Sequence, residues 1–530
     1  MGLTDQERKI AAARELREQL LRDRYRPGYH FAIPEDIGMP GDPNGAFWAN
    51  GRYHLMYLYN RRDVKVWGGN GFSWGHISSA DLVHWRHHPD ALVPGGDHGG
   101  CFSGGAFVDD DGTAYLTYWR LQTSENIPDG SGIGIAQSRD RHYDEWEKLR
   151  IPTLDGTQSG ILETHDGAGN PLVLCNADPS NIWKKAGMYY LQAGNLPVLQ
   201  KMQKEAPGSP EWKGDWVDLF RSPNLLDWEF VHRFYQRDAT NRWTDETEDD
   251  MCPSFLPLPK SPDGGSPSGK HLQLFISHNK GCQYYVGSYD EGKDVFLPET
   301  HGRMTWVDNT FFAPEALIDD KGRQIMWAWL LDNSPSEAAE QVAAGWSGVF
   351  SLPRTLWLGD DNTLRMAPVP ELALLRCNAR DFADMTLDDG LEKNLDGING
   401  ESCEISFSVE PDSATQVGVK VRTSPHDEET TLLYCDFENR KLVFDSTGSG
   451  DTGRKVREEG PFELRTRKRV EIRVFVDKAV VELFADDRQA ITRRVYPIRD
   501  DSTGVRLFCR GGKATFRRIK TWEMMPSNSW

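Results

Sequence analysis

Three short segments place carboxylates where the backbone would hold them still. In Gly41-Asp42-Pro43-Asn44-Gly45, an Asp sits between Gly and Pro, ahead of an Asn-Gly turn. In Asn176-Ala177-Asp178-Pro179-Ser180, the Asp-Pro pair recurs just before a strand-like run. In Thr244–Asp250, five of seven residues are acidic, and the run leads into Met251-Cys252-Pro253-Ser254-Phe255. Each has an ordinary reading. Asp-Pro and Asn-Gly are turn dipeptides, and acidic runs are usually solvated loops. The third segment, however, runs straight into an apolar strand, Phe255-Leu256-Pro257-Leu258. A carboxyl there is partly desolvated, which raises its pKa and suits a general acid. Two carboxylates across a sugar linkage can cleave it, one attacking or activating water and the other protonating the leaving oxygen. A third can bind hydroxyls or offset positive charge. Trp67, Phe72, Trp74, Trp119 and Trp306 are candidate platforms for sugar faces, although each alone fits core or rim more readily.

Other chemistries find little support. No Gly-rich loop opens a helix in the phosphate-cradling pattern, and His-Glu-x-x-His and EF-hand patterns are lacking. Gly71-Phe72-Ser73-Trp74-Gly75 has the letters of a nucleophile elbow but not the strand before and helix after that an elbow needs. His87-His88 reads as a surface pair before Pro89. We expect neither metal nor cofactor.

These residues must be positioned by a chain of 530 residues, enough for roughly two to four domains at about 150 residues each. Lys plus Arg number 61 and Asp plus Glu 80, so the net charge is −19, which argues against nucleic acid or an anionic membrane as partner. Eighteen Trp, 23 Phe and 16 Tyr supply large cores and argue against disorder. No apolar window is long enough to span a membrane, and the N-terminus lacks a signal core. Eight scattered Cys without a Cys-x-x-Cys pair fit reduced thiols. The expectation is a cytoplasmic protein, or a secreted one if a leader has been trimmed.

Residues 4–24 read as a helix: Thr4 and Glu7 form a capping box, and Ile10, Ala13, Leu16 and Leu20 recur at helical spacing. It would pack on the next domain or pair with a second copy, which leaves homo-oligomerisation open. From 29 to 366, strand–turn–strand units repeat, as in Gly104–Val108, Asp109-Asp110-Asp111-Gly112, Thr113–Tyr118. They suggest a propeller or large barrel, too degenerate to count its units. Residues 367–385 read as a linker, and 386–530 as a β-sandwich whose strands alternate apolar and polar residues.

Taken together, residues 29–526 resemble glycoside hydrolase family 32, the family of invertases, levanases, inulinases and fructosyltransferases. Besides the three acidic segments, the resemblance rests on Trp74-Gly75-His76, Ser79-Ala80-Asp81-Leu82-Val83-His84-Trp85, Cys101-Phe102-Ser103-Gly104, Phe312-Ala313-Pro314-Glu315, Trp327-Ala328-Trp329, Gly345-Trp346-Ser347-Gly348 and Val474–Asp477 with Val481–Phe484. It implies an all-β fold, a five-bladed β-propeller followed by a C-terminal β-sandwich, with a short N-terminal helix. It implies a retaining mechanism on a small carbohydrate, a β-fructofuranoside or related furanoside: Asp42 attacks, Glu248 is acid then base, and Asp178 binds sugar hydroxyls. Asn44, Trp67, Trp74, Phe102, Ser103 and Trp329 are the implied substrate contacts. The family places its acid just before Cys-Pro, and Glu246, Asp249 and Asp250 compete with Glu248 for that role. Three positions depart from the family pattern: Gly41 replaces an Asn, Leu58 a Gln and Ala177 an Arg. Their loss should alter what the pocket recognises. Transfer to an acceptor sugar, forming oligofructosides or a difructose anhydride, and glycan binding without cleavage both remain open.

Overall fold

The computed structural model describes residues 3–528 except 35, 65–70, 96–99, 122–130, 156–159, 166–167, 206–212, 239, 332–343 and 464–468. Five antiparallel sheets follow one another. Blade I comprises Pro43–Ala49, Arg52–Asn60, Phe72–Ser79 and Trp85–Leu92. In blade II, Gly100–Cys101 and Ala106–Val108 both pair with Ala114–Leu121, followed by Gly132–Ser138 and Glu147–Leu149. Blade III comprises Trp183–Lys185, Met188–Ala193, Trp216–Ser222 and Glu229–Gln236. Blade IV comprises Met251–Pro259, Pro267–Ser277, Gly281–Asp290 and Val295–Arg303. Blade V comprises Phe311–Ile318, Gln324–Leu330, Arg354–Leu358 and Leu364–Pro368.

The turns follow from local chemistry. Ala186 and Gly187, between paired Lys185 and Met188, have φ of +50° and +80°, the two left-handed residues of a tight hairpin. At the Asp319-Asp320-Lys321-Gly322 turn, Asp319 Oδ1 accepts from the backbone N–H of Lys321 (3.0 Å) and Arg323 (2.9 Å). Blades are stitched to their neighbours by buried polar groups. Glu315 of blade V accepts from the Ala46 N–H of blade I at 2.7 Å. Asn181 exchanges two hydrogen bonds with the backbone of Phe255 in blade IV, at 2.8 and 3.0 Å.

Two further sheets form the sandwich. The seven-stranded sheet holds Arg376–Phe382, Met385–Leu387, Ser402–Glu410, Val470–Asp477, Val480–Ala485, Gln489–Arg494 and Ala514–Met524. The six-stranded sheet holds Glu392–Asn394, Gln416–Thr423, Thr431–Asp436, Lys441–Asp445, Arg457–Pro461 and Gly504–Arg510. The expected linker at 367–385 is mostly structured. Blade V ends at Pro368, a 3₁₀ turn spans Pro370–Leu375, and Arg376–Phe382 already pairs with Ala514–Met524. That strand hides in the sequence because it lies at a sheet edge, charged and largely exposed, so it lacks apolar alternation.

Propeller and sandwich share one core, in which Trp327, Leu356 and Met366 cluster with Phe475, Val480, Phe484 and Met524. At this seam the Arg354 guanidinium meets the Glu482 carboxylate at 2.8 Å and lies over the Phe311 and Phe484 rings. The N-terminal helix runs Asp5–Arg22 with its Thr4–Glu7 capping box formed. Leu20 is buried in the same core and Leu16 packs on it, while Ile10 and Leu21 stay exposed.

Candidate active site

Four blades carry an X-Pro step in or just ahead of their first strand: Asp42-Pro43, Asp178-Pro179, Cys252-Pro253 and Ala313-Pro314. Asp178, Cys252 and Ala313 have φ of +43°, +48° and +44°. Left-handed backbone at a non-glycine residue costs on the order of 1–3 kcal/mol and persists where the surroundings enforce it, often at functional sites. The steps bring their side chains together. The Cys252 thiol reaches Asp178 Oδ2 at 3.5 Å, and Cys252, Ala313, Phe312 and Trp329 belong to one apolar cluster.

Asp42 is buried and its Oδ2 accepts from the Ser103 hydroxyl, while Oδ1 has no partner among the described residues. Asp178 Oδ1 is likewise buried and bare. Burial pushes the Asp42 carboxyl up to about 6, against the Ser103 hydrogen bond and the His278 charge. Burial, then the negative charge of Asp42, pushes Asp178 up to about 7, with His278 and Cys252 opposing. Asp42 thus ionises before Asp178. A nucleophile must be ionised, whereas a hydroxyl-binding partner works in either state, as acceptor or donor.

Ser103 is placed by backbone bonds to the next strand: Phe102 N–H donates to Trp119 C=O (2.8 Å) and Trp119 N–H to Ser103 C=O (3.0 Å). Phe102 stands edge-on to Phe72 (4.7 Å) and Trp119 (5.5 Å), forming one aromatic wall. Phe312 stands edge-on to Trp329 (6.0 Å) and to the His278 ring (5.7 Å), forming another.

Several expected sugar contacts have other work. Asn44 is buried, and its amide bonds the Asp42 carbonyl and the Gly104 N–H, both at 3.2 Å. It therefore clamps the nucleophile loop to the Ser103 loop, with one N–H and one lone pair already committed. Trp74 is fully buried in the seam of blades I and II beside Tyr118, so it presents no open face. Trp306 packs on the sandwich, over Gly460. Trp67 lies outside the described residues. The three departures are filled rather than vacant. Leu58 and Ala177 are fully buried, and a Cβ on Gly41 would come within 2.7 Å of the Gly38 carbonyl oxygen and 3.2 Å of Trp329 Nε1.

The acidic segment sorts itself. Glu248 is buried, and its carboxylate accepts from Ser277, Gln283 Nε2 (2.7 Å) and Lys280. Asp250 Oδ2 accepts from the Trp216 N–H at 2.7 Å and Asn195 Nδ2 at 3.2 Å. Asp249 Oδ2 accepts from the backbone N–H of His278 (3.1 Å) and from its Nδ1 (3.2 Å). The residue just before Cys252-Pro253 is Met251, buried in apolar contact. Burial pulls the His278 imidazole down, but the hydrogen bond to Asp249 and the charges of Asp249, Asp178 and Asp42 more than offset it, so it titrates above its ordinary value. Sequence reasoning missed His278, because Ser277-His278-Asn279-Lys280 carries no motif. Its place follows from strand pairing, since Met251 opposite Ile276 sets the acidic segment beside this turn.

A cluster of His76, His88 and Asp144 lies elsewhere, on blades I and II. His88 Nδ1 is bonded to Asp144 and Nε2 to Ser78, both at 2.6 Å, and the His76 and His88 rings stack at 4.2 Å. Stacked rings direct their in-plane lone pairs side by side rather than at one ion, so the cluster reads as a hydrogen-bonded chain.

The model of the glycosyl hydrolases family 32 N-terminal domain matches residues 30–368, and that of the family's C-terminal domain matches residues 371–523. Sucrose-6-phosphate hydrolase of Zymomonas mobilis is 30% identical over 98% of this chain and 96% of its own length. Levanase of Bacillus subtilis is 28% identical over 95% of this chain and 72% of its own. The structure of fructan 1-exohydrolase IIa from Cichorium intybus in complex with 1-kestose superposes with a TM-score of 0.78 at 21% identity, covering 95% of this chain and 98% of that one. With both domain models matched over nearly its whole length, this chain belongs to glycosyl hydrolase family 32.

Proposed function

We propose that this protein is a retaining glycosidase that cleaves β-fructofuranosides by double displacement. Asp42 Oδ1 attacks the anomeric carbon, Asp178 holds sugar hydroxyls, and water releases the fructosyl unit. The observation that carries this is the Asp42–Ser103 pair, with one oxygen held and the other bare beside Asp178. The aromatic walls suit a compact furanose ring. Family membership supports the reaction class, and the names of the relatives support a fructosyl substrate. The filled positions Gly41, Leu58 and Ala177 argue that its hydroxyls are read differently from the family pattern.

The test is incubation with sucrose, kestose, inulin, levan, difructose anhydrides and aryl furanosides, with products separated by chromatography. Fructose release that Asp42→Asn abolishes supports the reading. Oligofructosides or anhydrides would favour transfer. Cleavage of a different furanoside alone would overturn the fructosyl assignment, and binding without turnover would overturn the enzymatic one.

A further inference from the structure

We propose that the leaving-group proton comes from His278, positioned by Asp249, and that Glu248 braces the loop instead of moving a proton. The inference rests on the fructofuranosidase reading above.

The acids of the segment are spoken for, except one. Asp245 is tied to the Thr247 backbone and hydroxyl and to Lys280, and Glu246 pairs with Lys213. Glu248 accepts from three donors, one of them a cation, so both its oxygens are committed inside the protein. Asp250 faces away, onto Trp216 and Asn195 and against Asp215, whose Oδ2 takes the hydroxyls of Tyr235, Tyr285 and Thr244. Met251 fills the position before Cys-Pro with an apolar side chain. Asp249 remains: its Oδ2 takes the His278 N–H and Nδ1, and its Oδ1 is buried with no partner among the described residues, out of solvent's reach.

That contact fixes the imidazole. With Nδ1–H donating to Asp249, the ring is held in one tautomer and orientation, the task a carboxylate performs behind a catalytic histidine elsewhere. The other nitrogen, Nε2, has no partner among the described residues, and the side chain is 49% exposed. The ring stands edge-on to Phe312 at 5.7 Å, in the cluster that also holds Cys252, whose thiol reaches Asp178 at 3.5 Å, and its charge acts on both Asp42 and Asp178. The titratable groups facing it are Asp249 from the segment before blade IV, Asp178 from blade III and Asp42 from blade I. Lys280, in the same turn, is neutralised by Glu248 and Asp245, and the blade V neighbours Phe312 and Asn309 are uncharged. The charges of these three carboxyls favour the protonated imidazole, the state a general acid must start from.

The steps balance. Nε2–H passes its proton to the glycosidic oxygen, whose bond to the fructosyl carbon breaks with the electron pair going to oxygen, while Asp42 Oδ1 bonds that carbon. Neutral Nε2 then takes a proton from water, the water oxygen bonds the carbon, and Asp42 leaves as carboxylate.

Leaving-group dependence tests this. Wild type, His278→Ala, Asp249→Asn and Glu248→Gln are assayed on sucrose and on p-nitrophenyl β-D-fructofuranoside, whose leaving group needs no proton. His278→Ala should lose about 100-fold or more in kcat/KM on sucrose, far less in kcat/KM on the aryl substrate, whose release of p-nitrophenol reports the first step alone, and regain activity with added imidazole. Asp249→Asn should show the same pattern more mildly and move the basic limb of kcat/KM to lower pH. Glu248→Gln should depress both substrates in parallel, without rescue. If His278→Ala does not fold, His278→Gln gives the same ratio. Equal losses in kcat/KM on both substrates for the His278 variant, or leaving-group dependence and rescue by azide for Glu248→Gln, overturn the assignment. A wild type inert on every fructofuranoside overturns the functional reading instead, and this inference with it.

Discussion

The Ser103 hydroxyl of blade II donates to the Asp42 carboxylate of blade I, so the two blades build the nucleophile jointly. Burial raises Asp42 to about 6 and this bond holds it down. Activity should therefore fall as pH drops through about 6. Ser103→Ala should move that acid limb upward and, since a hydrogen bond to a charged group is worth about 1.5–3 kcal/mol, lower kcat/KM roughly 10- to 100-fold. A pH–rate profile of the two proteins checks both effects.

Keeping Asp42 ionised in the interior costs stability. Its folded pKa of about 6 lies above the unfolded value near 3.9, so between these values the folded state binds more protons. Stability then falls as pH rises through that window. Asp42→Asn should gain on the order of 2–3 kcal/mol at pH 8 and little at pH 4. Thermal melts at the two pH values would show a rise in Tm at pH 8 only.

At the seam between domains, Arg354 is the cation for buried Glu482, which also accepts from the Leu352 N–H and Thr492. Arg354→Met should strip that carboxylate of its guanidinium, leaving the His30 imidazole at 3.3 Å as its remaining basic neighbour, and cost about 3–5 kcal/mol. Because the two domains share one core, calorimetry should record one lowered transition for the whole chain and not a separate loss of the sandwich.

Restoring the family's residues should not restore a family pocket. Gly41→Asn meets the Gly38 carbonyl, and Ala177→Arg puts a guanidinium into a fully buried apolar cluster. The second should cost at least about 3 kcal/mol through overpacking and an unpaired buried charge. Both variants should lose Tm without gaining fructose release, which melting curves and product chromatography would record.

Much of the fold was legible because its signals are local. The Thr4–Glu7 capping box, the Asp109-Asp110-Asp111-Gly112 turn and the alternating strands of the sandwich each depend on residues a few positions apart. The edge strand Arg376–Phe382 was not legible, since its partner lies more than 130 residues away and its charged faces carry no pattern. Within the site, Asp42, Asp178 and the acidic segment stood out by their X-Pro and charge runs. The roles of Asn44 and Trp74 did not, because spacing cannot tell a clamp or a core ring from a sugar contact.

The sequence by itself determined the element types, the division into a hairpin-repeat region and a sandwich, and the carboxylates available for chemistry, because propensity, turn chemistry and alternation are read within a few residues. Only the tertiary structure decided which of those carboxylates are free to act. Among the described residues Asp42, Asp178 and Asp249 each keep one oxygen without a partner, Glu248 is filled by Ser277, Gln283 and Lys280, and Asp249 gives its other oxygen to His278. The physical reason is that a carboxylate's protonation and reach depend on donors, charges and burial supplied by other blades, which approach only when the ring closes.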